Sequence, residues 1–275
     1  MTNSRVFSLA TFFVLLFTRF SWAVSFEGAQ FYDPSQYLTE IKKDPQHPAH
    51  LYADELKKSF AATVLIPGRG TGVIISPDGW MVTAFHVIKD IYVAETETCP
   101  KLSVILNHEM LENSEVEHGV RLPCAKIAVA NFNNDFALIK LAVPVTLTQL
   151  PFAPIETDEN ELSVGQYLIA AGHPHASSFA EGVKKISEGE MVLYEPHNPE
   201  LPHFLHVVNT EAGNSGSPLF NVEGKVVGLH FRGVSNYGTG VNVIRNGQPE
   251  VTHRFNVALP MPNLYSKFVR QFLTI

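Results

Sequence analysis

The chain is predicted to be an all-β protein, a barrel or sandwich in two halves, with helices confined to its ends. Three observations carry that prediction. From Ala61 to about Leu259 the sequence falls into short runs rich in β-formers: 62–66, 72–76, 80–83, 102–106, 136–141, 166–171 and 225–231. Pro77-Asp78-Gly79 and Glu223-Gly224-Lys225 are tight hairpin signals, because a glycine supplies the positive φ that such turns need. The stretch Leu141–Asn160 holds Pro144, Pro151 and Pro154 with few β signals, and reads as a linker between the halves. Many short strands of this kind build closed or stacked sheets.

The elements follow in order. Residues 1–23 carry Arg5, an apolar run from Val6 to Phe17, and Ser21-Trp22-Ala23, whose small residues suit a signal peptidase. Cleavage is expected after Ala23, giving a secreted or periplasmic protein that leaves the membrane. Arg19 closes the apolar run short of the ~20 residues of a spanning helix. Residues 24–58 form an N-terminal extension with helical spacing over 34–41 and 51–58, and the sequence alone leaves open whether it is a propeptide over the cleft. The first β half is expected over 59–150 and the second over 151–259. Residues 260–275 read as a closing helix, with Asn263 as N-cap and Leu264, Phe268 and Phe272 on one face.

Composition narrows the class. The 275-residue chain is 45% hydrophobic, ample for packed cores, and its formal charge is -7. Removing Arg5 and Arg19 leaves 18 basic against 27 acidic residues, or -9, which argues against nucleic acid and anionic membrane as partners. Cys99 and Cys124 are expected to pair as a disulfide in an oxidising compartment, two separate buried thiols being the alternative. His47/His50 and His173/His175 lack a third ligand at supporting spacing, so they read as loop residues and no metal or organic cofactor is expected. Gly172-His173-Pro174, at a strand end, is expected to rim the substrate cleft.

Three segments carry chemistry. Gly213-Asn214-Ser215-Gly216-Ser217-Pro218 has a serine between glycines that permit a tight backbone exposing the hydroxyl. By itself it could be a surface turn. A serine hydroxyl needs a base within hydrogen-bond reach and donors for an oxyanion, and the NH groups of Gly213 and Ser215 are the candidate donors, each worth roughly 3 kcal/mol in a transition state. Thr83-Ala84-Phe85-His86-Val87 puts His86 on a turn at a strand end, where an imidazole with a pKa near ~6.5 can take and return the serine proton. Asn134-Asp135 opens the apolar run 136–141, and Asp135 would hold the far ring nitrogen of His86. His, Asp and Ser thus occur in the order known for one triad arrangement.

With Thr71-Gly72-Val73-Ile74-Ile75, these motifs resemble the trypsin-like serine peptidases over roughly residues 60–258. The resemblance implies two six-stranded antiparallel β-barrels of the chymotrypsin-like fold, an acyl-enzyme mechanism with His86, Asp135 and Ser215 as triad, protein or peptide substrates, and a monomer. Gly-Asn-Ser-Gly-Ser-Pro is more similar to bacterial glutamyl endopeptidases than to animal trypsins. Asn214 cannot form the ion pair with a freed N-terminus that activates animal zymogens. Thr210 and His230 match the positions at which glutamyl endopeptidases hold an acidic side chain, which implies a preference for Glu or Asp before the scissile bond. Glu211 could repel such a residue if it turned inward, and Arg232, two places after His230, could offset it. The HtrA-type peptidases are the second resemblance. Only about fifteen residues follow the last expected strand, too few for their usual PDZ domain. The rival from another class is a non-catalytic or latent binding protein on the same scaffold.

Overall fold

The computed structural model describes residues 30–92, 99, 101–109, 118–145, 147, 150–175, 183–199, 201–234, 241–245, 248–252 and 254–273. The expected export signal lies outside these residues. Among them, no helix is long and apolar enough to cross a membrane.

Two helices precede the strands. Helix α1 (Pro34–Lys43) starts with proline in its first turn, where the missing NH removes no hydrogen bond, and α2 (Ala53–Ala61) has Asp54 and Glu55 in its first turn against the helix dipole. Each is amphipathic: Tyr37 and Ile41 of α1 and Leu56 and Phe60 of α2 are buried. Their aromatic rings form a chain, Tyr37 to Phe60 at 6.0 Å and Phe60 to Phe220 at 6.0 Å.

Six strands follow: β1 (Thr63–Ile66), β2 (Gly70–Ile74), β3 (Trp80–Ala84), β4 (Ser103–Glu109), β5 (His118–Asn131) and β6 (Phe136–Leu141). They close a barrel in the order β1-β2-β3-β6-β5-β4. The one-turn helix α3 (Phe85–Ile88) leaves the end of β3. Strands β1, β2 and β3 are buried at every position, which explains why they read as continuous β-rich runs. Gly79 takes φ 94° in the β2–β3 turn, as the Asp-Gly signal requires. Cys99 and Cys124 form a disulfide with their Cα atoms 5.7 Å apart, tying the segment before β4 to β5.

The second barrel contains β7 (Tyr167–Gly172), β8 (Lys185–Glu195), β9 (His203–His206), β10 (Pro218–Phe220), β11 (Val226–Val234) and β14 (Phe255–Pro260), closed as β10-β11-β14-β9-β8-β7. Strands β12 (Val241–Arg245) and β13 (Gln248–Thr252) form a separate hairpin between β11 and β14. The architecture is therefore the two six-stranded barrels that the motifs implied. The proline-rich linker bonds to both barrels, Ala153 N donating to Ile74 O at 2.9 Å and Glu156 N to Val226 O at 2.9 Å.

The C-terminal helix differs from expectation. It is a short α4 (Met261–Leu264) continued by a wider turn over Tyr265–Val269, capped by Pro260, with Asn263 inside rather than at the cap. Pro262 begins a helix as easily as it precedes one, so the start moves upstream. The expected apolar face is used: Phe268 stacks on Phe136 at 5.5 Å and Phe272 packs on Trp80 at 5.1 Å, both in the first barrel.

Candidate active site

Asp135 and His86 are brought together by the ends of β6 and β3. Asp135 has φ 45°, in the left-handed region that Asp tolerates better than most residues, at the close of a turn over 131–135. Asn134 N donates to Asn131 Oδ1 at 2.8 Å and Asp135 N to Phe132 O at 3.2 Å, which fixes that turn. The aspartate then accepts three hydrogen bonds from the start of α3: Phe85 N to its carbonyl at 3.0 Å, His86 N to Oδ1 at 2.7 Å, and His86 Nδ1 to Oδ2 at 2.7 Å. An ionised carboxylate only accepts, so Nδ1 carries the hydrogen and Nε2 is left as the basic nitrogen.

The serine turn is carried by the second barrel and docked on the first. Thr71 N donates to Ser215 O at 2.9 Å, and Thr71 Oγ1 donates to Gly213 O at 2.9 Å. Gly213 and Gly216 have φ of 96° and 82°. A Cβ on Gly216 would strike Thr71 O and Thr83 Oγ1 and lie 3.0 Å from Ala84 N, one residue before α3. Close backbone contact thus sets Ser215 beside the His86 segment, and glycine is required for it. The NH groups of Asn214, Gly216 and Ser217 donate to Glu211 O, His230 O and Asn214 O. Those of Gly213 and Ser215 make no backbone hydrogen bond among the described residues.

Behind the turn lie two histidines. His230 N donates to Ser217 O at 2.9 Å, and its ring nitrogen Nδ1 is 3.4 Å from Nε2 of His206 on β9. Both side chains are fully buried. Burial, with the His86 charge as a smaller cause, pushes His230 down to about 3, and burial with His230 nearby holds His206 well below the usual histidine range. Both are neutral at pH 7. Thr210 is also fully buried, and its Oγ1 and His230 Nε2 have no hydrogen-bond partner among the described residues. Partial burial raises the Glu211 carboxyl. Burial lowers Arg232 while the Asp135 charge opposes that shift, and its guanidinium lies 5.1 Å over the Phe231 ring. A register irregularity between His230 and Arg232 breaks the simple same-face relation expected from their spacing.

A family model for the trypsin-like peptidase domain matches residues 70–229, more than half of the chain and a span containing His86, Asp135 and Ser215. The chain belongs to the trypsin-like peptidase family. Probable periplasmic serine endoproteases of the DegP-like type are similar to it: that of Chlamydia trachomatis serovar D is 30% identical over 180 residues, covering 64% of this chain and 30% of the relative. That of Pseudomonas fulva is 31% identical over 161 residues, covering 58% and 28%. The chain spans under a third of the length of these curated relatives. Among solved structures, an HtrA-type protease AlgW with decapeptide is similar in fold, with a TM-score of 0.54 and 14% identity over 80% of this chain and 66% of the other. The solved structure is named as of the HtrA type, the second resemblance read from the sequence.

Seen as a trypsin-like peptidase, the chain brings His86, Asp135, Ser215, Gly213 and His230 to one seam, with Thr210 upstream of the serine turn. The segment after Gly172 lies against the serine turn, where a Cβ on Gly213 would meet His173 O and His175 Nδ1 and where His175 N donates to Ala212 O at 2.8 Å, while the His173 side chain is fully buried and its NH bonds to Thr71 Oγ1 at 3.0 Å. His47 contacts Glu188 at 3.4 Å and Tyr167 at 3.2 Å, and His50 contacts Ile41 O at 2.9 Å. Sequence reasoning missed two partners of this peptidase site. Thr71 was read only as a motif residue, and no local signal tells that it binds a turn 142 residues away. His206 ends the run His203-Phe204-Leu205-His206, whose apolar pair was a weak strand signal.

Proposed function

We propose that this chain is an exported serine endopeptidase that hydrolyses peptide bonds through an acyl-enzyme. Ser215 Oγ attacks the scissile carbonyl, His86 Nε2 takes the hydroxyl proton and later delivers it to the leaving amine, and Asp135 stabilises the imidazolium. The NH groups of Gly213 and Ser215 receive the developing oxyanion, and water releases the acyl group by the reverse steps. The observation that carries this reading is the pair of hydrogen bonds that His86 donates to the Asp135 carboxylate, beside a serine turn packed on Ala84. Export is supported by the leader-like N-terminus and by the periplasmic naming of the DegP-like relatives. Purified protein should react at Ser215 with a fluorophosphonate probe, and Ser215→Ala should abolish both labelling and hydrolysis. Absence of labelling and of hydrolysis in the native chain favours the binding-protein class.

Within this activity, the side chain before the scissile bond is read as Glu or Asp. Support comes from Thr210 Oγ1 and His230 Nε2, two buried polar atoms without partners, which a carboxylate could satisfy with less desolvation than a buried lysine or arginine would need. Cleavage-site profiling on a peptide library tests this. Enrichment of acidic residues that falls in His230→Ala supports the pocket, and an apolar or basic preference sinks it.

The extension is read as a permanent brace and not as a plug in the cleft. Tyr32 and Ile186 exchange two hydrogen bonds of 2.8 Å, and Ser59 Oγ donates to Gly224 O at 2.6 Å. Gly224 lies in the β10–β11 hairpin, at the end of β10 away from Ser215.

A further inference from the structure

We propose that the groove between the two extension helices and the barrels binds a small amphiphilic anion, a carboxylate on an unbranched apolar chain. None of the triad residues lines this groove, and the proposal does not depend on the endopeptidase reading. Its volume is about 650 Å³, within the range of sites that enclose small organic ligands. Two of its walls are helical rows. Pro34, Leu38 and Lys42 recur every four residues along α1, and Ala53, Lys57 and Ala61 do so along α2. At 1.5 Å per residue each row runs about 12 Å, so the groove is elongated and suits an extended acyl chain better than a compact ring. Its floor is apolar and fixed: Phe60, 2% exposed, sits between the rings of Tyr37 and Phe220, each at 6.0 Å. Pro34 and Leu38 are half-buried, leaving apolar surface for an occupant to cover.

The charge around this floor is positive. The whole chain has a formal charge of -7, yet the lining carries Lys42, Lys57 and Lys184 against Asp33 alone. Asp33 is already engaged by Lys185 at 2.8 Å, and Lys42 by Asp54 at 2.8 Å. Lys184 is anchored by its Nζ, which donates at 2.7 Å to Phe60 O in the last turn of α2. Lys57 is exposed on the α2 wall and has no ion pair among the described residues, so a head group with one negative charge matches it. Lysine stems are apolar up to the ammonium, and they carry the floor out to a cationic rim. The lysine by itself would hold an anion weakly, because an exposed ion pair gains little, and the floor by itself would accept any apolar chain. Together they select a molecule that has both parts. Because α2 leads directly into β1, an occupant braces the extension against the first barrel.

The test is isothermal titration calorimetry and thermal unfolding of the full chain with octanoate, using octanol and acetate as controls that each lack one part. Octanoate should bind and raise Tm, while octanol and acetate should bind more weakly and raise it less. Added salt should weaken octanoate binding. Lys57→Glu, an exposed change, should reduce octanoate affinity about fivefold and leave octanol binding unchanged. Leu38→Asp should abolish octanoate binding, with near-UV circular dichroism confirming its fold. A folded native chain that does not bind octanoate overturns the proposal. So does octanol binding as tightly as octanoate, or octanoate affinity that is the same in Lys57→Glu as in the native chain. A native dimer in analytical ultracentrifugation that Leu38→Asp converts to monomer assigns the groove to a second copy of the chain, and overturns the proposal as well.

Discussion

Asp135 grips His86 at two points: one carboxylate oxygen accepts the main-chain NH at 2.7 Å and the other accepts Nδ1–H at 2.7 Å. The main-chain bond sets where the residue begins, and the side-chain bond sets which way the ring faces. Asp135→Asn should separate these roles. Asn also tolerates the left-handed φ of 45°, so the fold should survive. An amide NH2 facing Nδ1 would force the wrong tautomer, and kcat should fall by about 10⁴ with little change in KM, as in the triad example from trypsin. Asp135→Ala should lower Tm further than Asp135→Asn, because alanine adds backbone strain of about 1 kcal/mol and loses the Oδ1 bond. Equal activity of Asp135→Asn and the native chain would remove Asp135 from the mechanism.

Gly216 is where the serine turn touches the first barrel. Gly216→Ala should destabilise the protein by more than about 2 kcal/mol in urea and suppress probe labelling, since the methyl meets Thr71 O, buried backbone that has no room to shift. Gly68 is the control. Its φ is 66° but nothing lies within 4 Å of a Cβ there, so Gly68→Ala should cost only about 1 kcal/mol of backbone strain.

The buried histidines set an acid limit to stability. His230 is lowered to about 3 and His206 well below its usual value, so the folded chain keeps both neutral while the unfolded chain protonates them near ~6.5. The unfolded state therefore binds more protons below that pH. Stability from this source is complete above pH ~6.5 and is lost progressively as the pH falls below it, for His230 down to about 3. Tm should drop steeply as pH falls from 7 to 5, and His206→Gln should flatten the slope. A Tm that stays level over that range would show that these rings are not excluded from protonation.

The extension should be needed for folding. Tyr37 is 2% exposed at the junction of α1, α2 and the second barrel, and Tyr37→Ala should destabilise by about 3 kcal/mol or more. Deleting residues 30–58 removes Tyr37 and should expose Phe60, giving insoluble or unfolded protein, read by near-UV circular dichroism and probe labelling. A rise in labelling after deletion would reinstate the propeptide reading.

How much of this was legible beforehand differs by element. Strands β1, β2, β3, β6, β7 and β11 stand out locally because the barrels bury most of their residues, leaving uninterrupted β-rich runs. Strand β5 escaped because Arg121, Pro123, Ala125 and Lys126 are exposed along it, and β8 because Glu188, Gly189 and Glu190 interrupt its apolar residues. His86, Asp135 and Ser215 could be named from motifs, since the residue types and their local backbone needs are written within short windows. Glycines on either side of a serine, or an aspartate opening an apolar strand, are local facts. The clamp between His86 and Asp135 spans 49 residues, and the dock of Thr71 on Gly213 spans 142. Only closure of the two barrels and burial of their shared seam bring such positions within hydrogen-bond reach. For the same reason the His206–His230 pair belongs to the tertiary structure alone: burial is a property of packing, and no window of sequence contains it.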